Sequence, residues 1–136
     1  MSYLLDTNIA TAMLKQDERL NSKLIQVRIR KQQLYISCMT YYEVKGGLLA
    51  VNATRKLSIF EQLCIDRFQI LFLSNLEIIN RASEIYAELR RSGRLIQTAD
   101  ILIAATAAAA GLILVSHDSD MLRVSGVTVE DWLQIE

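Results

Sequence analysis

The chain lacks the residues that usually separate domains or keep a segment unfolded. Its 136 residues include no proline and only five glycines, whereas linkers and disordered segments are commonly rich in both. No repetitive or low-complexity stretch interrupts the chain apart from one alanine-rich segment. Because a domain usually has about 150 residues, we expect a single domain over residues 1–136.

Cysteine and histidine are also scarce. Cys38 and Cys64 lie far apart in apolar surroundings and form no CxxC pair, and the only histidine, His117, is near neither of them in sequence. A disulfide scaffold needs more cysteines, and a zinc site needs clustered Cys or His ligands. The composition therefore argues against both and favours a reducing compartment, so we expect a cytoplasmic protein.

The chain has no excess of charge of either sign, with 15 basic and 15 acidic residues. This balance argues against a polybasic protein held on nucleic acid by bulk charge, but it is compatible with an enzyme whose basic groups act locally. The first residues lack the basic region of a signal peptide and soon reach Asp6. No apolar run is long enough to span a bilayer, so we expect no membrane contact.

Apolar residues are abundant and regularly spaced. They make up 51% of the chain, which is enough for a sizeable core. Short apolar runs typical of strands cover residues 3–5, 34–36, 68–73, 112–115 and 127–129. Segments with helical spacing separate these runs. The alternation predicts an α/β fold with a central, mostly parallel sheet between helices on both faces.

Local signals predict further details of the fold. The continuous apolar run 68–73 is typical of a strand that is buried on both faces. Ser74 opens a long helix that Gly93 ends, and Thr98 caps the alanine-rich helix, which ends at Gly111. Small side chains allow that helix to approach the sheet closely.

Acidic residues follow the predicted strands, where parallel sheets bind their ligands. Asp6 follows the first strand, and Asp118 and Asp120 follow the strand 112–115. Glu43 lies early in the helix after the strand 34–36, and Asp100 opens the alanine-rich helix that leads into the strand 112–115. Each one alone is explained by helix capping or by a favourable interaction with a helix dipole. Together in one crevice they would repel one another unless a cation lies among them, and a ligand set made of oxygens selects Mg²⁺ or Mn²⁺. Such a site hydrolyses phosphodiesters in metal-dependent nucleases, so this is the predicted chemistry.

Four segments of the chain carry a resemblance to one protein family. They are residues 3–8 (YLLDTN), 37–47 (SCMTYYEVKGG), 99–104 (ADILIA) and 111–120 (GLILVSHDSD). In their order, spacing and total length they resemble the PIN domain, and specifically the VapC-type toxin ribonucleases of bacterial toxin–antitoxin pairs. The resemblance covers nearly the whole chain and implies a PIN-like three-layer α/β/α fold.

The resemblance also implies roles for the acidic residues, with Mg²⁺ or Mn²⁺ as the cofactor. The residues that it assigns to catalysis and metal binding are Asp6, Glu43, Asp100 and Asp118. Asp120 is a further candidate metal ligand, because Asp120-Met121 stands where relatives commonly carry an acid followed by Phe, in a loop one residue shorter than in some of them. Which of Asp118 and Asp120 faces the metal stays open.

Other polar residues are candidates for supporting roles. The hydroxyl of Ser116 is expected to hydrogen-bond Asp6 and orient it, and Asn8 to brace the same loop. His117 lies beside the acidic loop, but a surface position explains it better than a role as general base, because a metal site already supplies the nucleophile.

The arginines Arg90, Arg91 and Arg94 admit two interpretations of equal weight. They either interact favourably with a helix C-terminus or contact RNA phosphates beside the crevice.

An apolar surface on two helices predicts protein partners. Its residues are Tyr41, Tyr42, Leu48, Leu49, Ile59, Phe60 and Leu63, and contiguous apolar patches are usually covered by a partner. The resemblance implies an RNA substrate and two protein partners, a second copy of the chain and a small VapB-like antitoxin.

Two other functions remain as alternatives to the toxin. The first is a PIN nuclease that processes RNA without acting as a toxin. The second is a non-catalytic, magnesium-binding α/β regulatory module similar to a receiver domain. A receiver domain needs an acid after a central strand, and the run 68–73 is followed by Ser74 and Asn75. The nuclease interpretation is therefore favoured.

Overall fold

A computed structural model of the chain describes residues 2–134. Its strands are β1 (Tyr3–Leu5), β2 (Leu34–Ser37), β3 (Phe68–Leu71), β4 (Ile113–Val115) and β5 (Val129–Glu130). Its α-helices are α1 (Thr7–Leu14), α2 (Asn21–Ile29), α3 (Cys38–Ala50), α4 (Thr54–Asp66), α5 (Leu76–Arg91) and α6 (Thr98–Ala110). Two short 3-10 helices cover Glu18–Leu20 and Ser119–Arg123.

The five strands form one sheet in the order β3-β2-β1-β4-β5. Every neighbouring pair is parallel, and Leu5 lies opposite Ile36 on one side and Val115 on the other. The carboxyl ends of all strands therefore meet at one edge of the sheet. This arrangement confirms the predicted α/β fold with a parallel sheet.

Helices cover both faces of the sheet and enclose two separate cores. Because side chains alternate along a strand, Leu5 packs towards the face covered by α1 to α4, and Leu4 towards the face covered by α5 and α6. Trp132 closes the first core at the end of the described chain, with its ring 5.0 Å from that of Tyr3. The sheet with a helical layer on each side is the three-layer α/β/α architecture.

The third strand differs from its prediction. It ends at Leu71, and it lies at the edge of the sheet with only Phe68 fully buried. Phe72, which was expected to lie inside a strand buried on both faces, is 63% exposed. An edge strand has one neighbour only, so its apolar residues are covered incompletely.

Two helix starts are also corrected. Asn75 rather than Ser74 caps α5, because its side chain accepts a hydrogen bond from the backbone N–H of Ile78. Thr98 is the first residue of α6, and the preceding Gln97 makes no side-chain cap. Both predicted helix ends are confirmed, since Gly93 and Gly111 have φ of 69° and 67°, values that glycine adopts easily.

The apolar surface predicted on α3 and α4 is smaller than expected. Phe60 is fully buried, and Tyr41, Leu48 and Leu63 pack against the first core. Tyr42 and Leu49 are 71% and 54% exposed. The prediction overestimated the exposed apolar surface, because α3 and α4 also pack against each other and against α1. These contacts cover more of the two helices than the sheet alone does.

No helix within residues 2–134 combines the length and the apolar content needed to cross a membrane.

The alanine-rich helix α6 lies tightly against the sheet. Ala104, Ala105 and Ala107 are fully buried, and their small side chains leave no room for larger ones. We predict that Ala104→Leu lowers the free energy of unfolding by roughly 1–3 kcal/mol, the usual cost of overpacking a core. Urea denaturation measures the change. Ala110→Leu, at an exposed position of the same helix, is the control and should leave stability nearly unchanged, and equal losses in the two variants would contradict the tight packing.

Candidate active site

Asp6 lies at the centre of the candidate site, directly after the central strand. Its side chain is buried, with 2% of the residue exposed. One carboxylate oxygen accepts a hydrogen bond from the Thr7 backbone N–H at 2.8 Å, and the other accepts one from the Ser116 hydroxyl at 2.6 Å. The backbone N–H of Asp6 donates to the carbonyl of Val115 at 2.8 Å. The carboxylate is therefore held by both β1 and the residue that follows β4, and the predicted bond from Ser116 is present.

Glu43 reaches the same region from the neighbouring helix. Ser37, at the end of β2, caps α3 through a hydrogen bond from the Met39 backbone N–H, and Glu43 lies in the second turn of this helix. The Thr7 hydroxyl donates to Glu43 at 2.8 Å, and the buried Thr40 hydroxyl lies 3.1 Å from that of Thr7. Thr7 thus connects the loop that holds Asp6 to the acid on α3.

The loop after β4 contains Asp118 and Asp120, which have different partners. The backbone N–H of Asp118 donates to the Ser116 hydroxyl at 3.0 Å, and its carboxylate accepts from the Asp120 backbone N–H at 2.9 Å. Asp118 is thereby the cap of the 3-10 helix Ser119–Arg123. The Asp120 carboxylate lies 3.2 Å from the Arg123 guanidinium, with which it forms an ion pair.

Asp100 faces the other acids from the first turn of α6. Its pKa is raised from the ordinary 3.8 to about 6, mainly by burial and in smaller part by the negative charges of Asp6, Asp118, Glu43 and Asp120, in that order. The pKa of Asp6 is raised too, mainly by burial, although its hydrogen bonds oppose the shift. The other predicted acids therefore all lie close enough to Asp100 to act on it electrostatically.

This electrostatic repulsion has little compensation from the protein. Among residues 2–134, no Lys or Arg forms an ion pair with Asp6, Glu43, Asp100 or Asp118. Within the same residues no three Asp, Glu, His or Cys side chains are arranged closely enough to enclose a metal ion. The arrangement is a cluster of acidic residues in which Glu43 accepts a hydrogen bond from Thr7.

Asn8, one of the predicted supporting residues, braces the loop after β4. The Asn8 side chain accepts a hydrogen bond from the His117 backbone N–H at 3.1 Å, as expected from its position. The His117 ring lies on the surface, where its Nδ1 is 2.8 Å from a carboxylate oxygen of Asp131. Asn8 therefore connects the start of α1 to the acidic loop, and the His117 side chain is held by the segment that follows β5.

The arginine group lies near the connection between α5 and α6. These helices are antiparallel, because Glu77 and Arg81 face Ala108 and Ala109 in one cavity, while Tyr86 faces Thr98 in another. Residues 92–97 are thus at the end of α6 that carries Asp100. Arg90 donates to the Tyr86 hydroxyl at 2.7 Å, and Arg91 and Arg94 are exposed. Contact between these arginines and RNA stays a prediction.

Several contacts of the site escaped the sequence analysis. Thr7, Arg123 and Asp131 each contact a predicted residue, and Thr40 contacts Thr7, yet none of the four was a candidate. The only sequence feature that pointed to any of these contacts was the position of Thr7 next to Asp6. Asp131 is 14 residues from His117 and belongs to a segment that shows no periodic pattern.

Comparisons with known proteins point to one family. The family model described as PIN domain matches residues 3–127. Ribonuclease VapC1 of Haemophilus influenzae strain R2866 is 26% identical over 134 residues, with 97% of this chain and 98% of the relative covered. VapC ribonuclease Y4jK of Sinorhizobium fredii is 30% identical over 132 residues, with 93% and 94% covered.

A solved structure agrees with this similarity. The structure of VapBC-1 from nontypeable Haemophilus influenzae superimposes with a TM-score of 0.86 at 25% identity. The alignment covers 98% of this chain and all of the other.

The raised pKa of Asp100 predicts how stability depends on pH. Between pH 3.8 and about 6 the folded chain keeps a proton on Asp100 that the unfolded chain has released, so the free energy of unfolding falls as pH rises through this window. We predict that Asp100→Asn makes the fall smaller and raises stability at pH 7.5. Urea denaturation at pH 4.5 and 7.5 in EDTA measures both effects.

The control for this experiment is Asp17→Asn. Arg19 lowers the pKa of Asp17 to about 2, so Asp17 is ionised throughout the window. Its removal should leave the difference between pH 4.5 and 7.5 unchanged, and an equal effect of the two variants would contradict the assignment to Asp100.

Proposed function

The chain belongs to the PIN domain family, and we propose that it is a metal-dependent endoribonuclease that acts as the toxin of a VapBC-type toxin–antitoxin pair. The observation that carries the proposal is the buried carboxylate of Asp6. Asp6 directly follows the central strand, and its carboxylate accepts a hydrogen bond from Ser116. The charges of Asp118 and Glu43 raise its pKa, and its own charge raises the pKa of Asp100. The similarity to proteins named VapC ribonucleases along nearly the whole chain supports the same activity.

The donor chemistry of the cluster fits a hard divalent cation. The side chains are carboxylates and hydroxyls, and neither cysteine is part of the hydrogen-bond network around Asp6. Burial and mutual repulsion raise the pKa of Asp6 and Asp100, and a bound cation would relieve this repulsion. We propose that Asp6, Glu43, Asp100 and Asp118 hold Mg²⁺ or Mn²⁺. No three acids of the described chain are close enough to enclose the ion as they stand, so binding includes an adjustment of their side chains.

The protein contributes orientation to the reaction. When bound, the cation would ease deprotonation of the attacking water and neutralise charge that develops on the phosphodiester. Ser116 and the Thr7 backbone N–H hold both oxygens of Asp6, so that its carboxylate cannot rotate away. The Thr7 hydroxyl fixes Glu43 in the same way. Both acids are therefore positioned before the substrate arrives, which removes an entropic cost from the reaction.

The acidic cluster needs basic groups to bring RNA close to it. Arg91 and Arg94 are exposed beside the end of α6 that carries Asp100. We propose that they contact RNA phosphates, which would offset the repulsion between the backbone of the substrate and the carboxylates.

The proposed protein partners are a small antitoxin and a second copy of the chain. A basic side chain of the antitoxin inserted among the carboxylates would neutralise the cluster and block it. Tyr42, Leu49 and Val51 on and after α3 are between 54% and 72% exposed, and contact with another protein would remove this apolar surface from water.

We predict that cleavage of RNA requires Mg²⁺ or Mn²⁺ and Asp6. EDTA should abolish the activity, and Asp6→Asn should lower the cleavage rate more than about 100-fold, beyond the effect of losing an outer contact to a metal. The variant should remain folded, because one repelling charge is removed from the cluster. Gel analysis of labelled RNA measures cleavage, and circular dichroism checks the fold. Asp17→Asn is the control, and normal cleavage by Asp6→Asn would exclude the proposed site.

We predict that Asp118 contributes more to cleavage than Asp120. Asp118 is connected to Asp6 through Ser116, whereas the Asp120 carboxylate is engaged by Arg123. Asp118→Ala should therefore reduce the rate further than Asp120→Ala, which should cost about 10-fold to 100-fold as an outer contact. Rates at saturating Mn²⁺ on one RNA decide the order. A larger loss for Asp120→Ala would make Asp120 the fourth ligand.

A further inference from the structure

A cavity of about 350 Å³ adjoins the acidic cluster. It shares Ser116 and Asp118 with that cluster, and extends to the segment after β5. Its remaining walls include His117, Leu122, Val129, Asp131 and Gln134. The volume is within the usual range for sites that bind small molecules. A group in this cavity would therefore lie next to the bond that the cluster is proposed to cleave.

One wall of the cavity is polar and held in place. The His117 ring is 52% exposed, and its Nδ1 lies 2.8 Å from Asp131. The other carboxylate oxygen of Asp131 accepts a hydrogen bond from the Leu133 backbone N–H at 2.9 Å. The backbone N–H of His117 donates to Asn8, so Asn8 anchors the loop and Asp131 holds the ring. It offers a flat aromatic surface with a hydrogen-bonding edge.

Another wall is apolar. Leu122 is 72% exposed although it lies within a 3-10 helix whose neighbouring residue Met121 is fully buried. Val129, on the edge strand β5, is partly buried. The cavity thus combines apolar side chains with hydrogen-bonding groups, as the subsites of RNA-binding proteins do for a base that is turned out of its stack.

Without a bound cation, the charge of the cavity favours a neutral ligand over a phosphate. Its walls contain the carboxylates of Asp118 and Asp131, and no Lys or Arg of the described chain contributes to them. A phosphate would be repelled there, whereas a neutral base would not. Carboxylates accept hydrogen bonds from the exocyclic amino group of adenine or cytosine, but uracil carries a carbonyl oxygen at the corresponding position, which they repel.

We propose that this cavity binds the nucleobase next to the scissile phosphodiester and prefers adenine or cytosine to uracil. The ring of His117 supports the base by stacking, the carboxylate of Asp131 and the amide of Gln134 bind its edge, and Leu122 contacts its apolar face. This proposal rests on the proposed ribonuclease function, because it names a subsite for the same substrate.

Nucleoside binding tests the subsite without catalysis or metal. His117 is the only histidine of the chain, so its ring protons give isolated NMR signals in the untagged protein. Cytidine and adenosine should shift these signals in EDTA at concentrations about tenfold lower than uridine does, in line with base discrimination by paired hydrogen bonds. No shift with any nucleoside, or equal shifts with all of them, would overturn the proposal.

Variants of the walls locate the binding. Gln134→Ala and Leu122→Ala should each weaken the effect of cytidine on His117 several-fold. Ile29→Ala is the control, because Ile29 is 74% exposed on α2 and lies outside the cavity. Equal weakening by the control, or none by Gln134→Ala and Leu122→Ala, would contradict the assignment.

Cleavage of short RNAs separates this proposal from the proposed function. The substrates differ only in the base beside the cleaved bond, and the wild-type protein should cleave those with A or C about tenfold faster than the one with U. Gln134→Ala should reduce this preference while cleavage continues. Cleavage without any base preference would refute the subsite alone, and absence of metal-dependent cleavage from every RNA would refute the ribonuclease. Shifts of His117 by an added antitoxin peptide and by no nucleoside would assign the cavity to the protein partner.

Discussion

The pairing of β1 with β4 is the constraint on which the site depends. It brings the backbone of Asp6 to Val115 and the carboxylate of Asp6 to Ser116. The Ser116 hydroxyl also accepts a hydrogen bond from the backbone N–H of Asp118, so Ser116 positions this second acid as well. A shift of one residue in this pairing would turn the side chains of β1 to the opposite face. The register of β1 against β4 therefore also determines where Asp6 and Asp118 lie relative to each other.

Packing in the rest of the fold offsets the destabilisation that the clustered acids cause. Two cores on opposite faces of the sheet hold α3 and α6 in place, and each of these helices carries an acid towards Asp6. The pKa of Asp100 is raised mainly by burial and further by the charges of the other acids, so both effects oppose its ionisation in the folded chain. Small buried side chains on α6 allow the close approach of helix and sheet. Packing thus offsets the loss of folding stability at the site. Such a compromise between stability and activity is common.

Much of this arrangement was predictable because parallel strands end at a common edge. The rule applied to Asp6, which directly follows β1, to Asp118, in the loop after β4, and to Glu43, on the helix that follows β2. It gave no information on Arg123 beside Asp120 or Asp131 beside His117, because such pairs depend on how loops return to the site. The exposure of Phe72 was missed for a related reason: its local sequence is apolar, but the position of β3 at the edge is a property of the whole sheet.

The order in which the chain is made has a consequence for when the site can exist. Asp6 is near the start, but Ser116, its hydrogen-bond partner, is 110 residues further along. β1 also lies in the middle of the sheet, between one strand synthesised early and one synthesised late. During translation the first acids emerge without the loop that orients Asp6, and contacts of such long sequence separation form only after the intervening chain is available. In a nascent chain Asp6 therefore stays without its orienting hydrogen bond until the segment that contains Ser116 has left the ribosome.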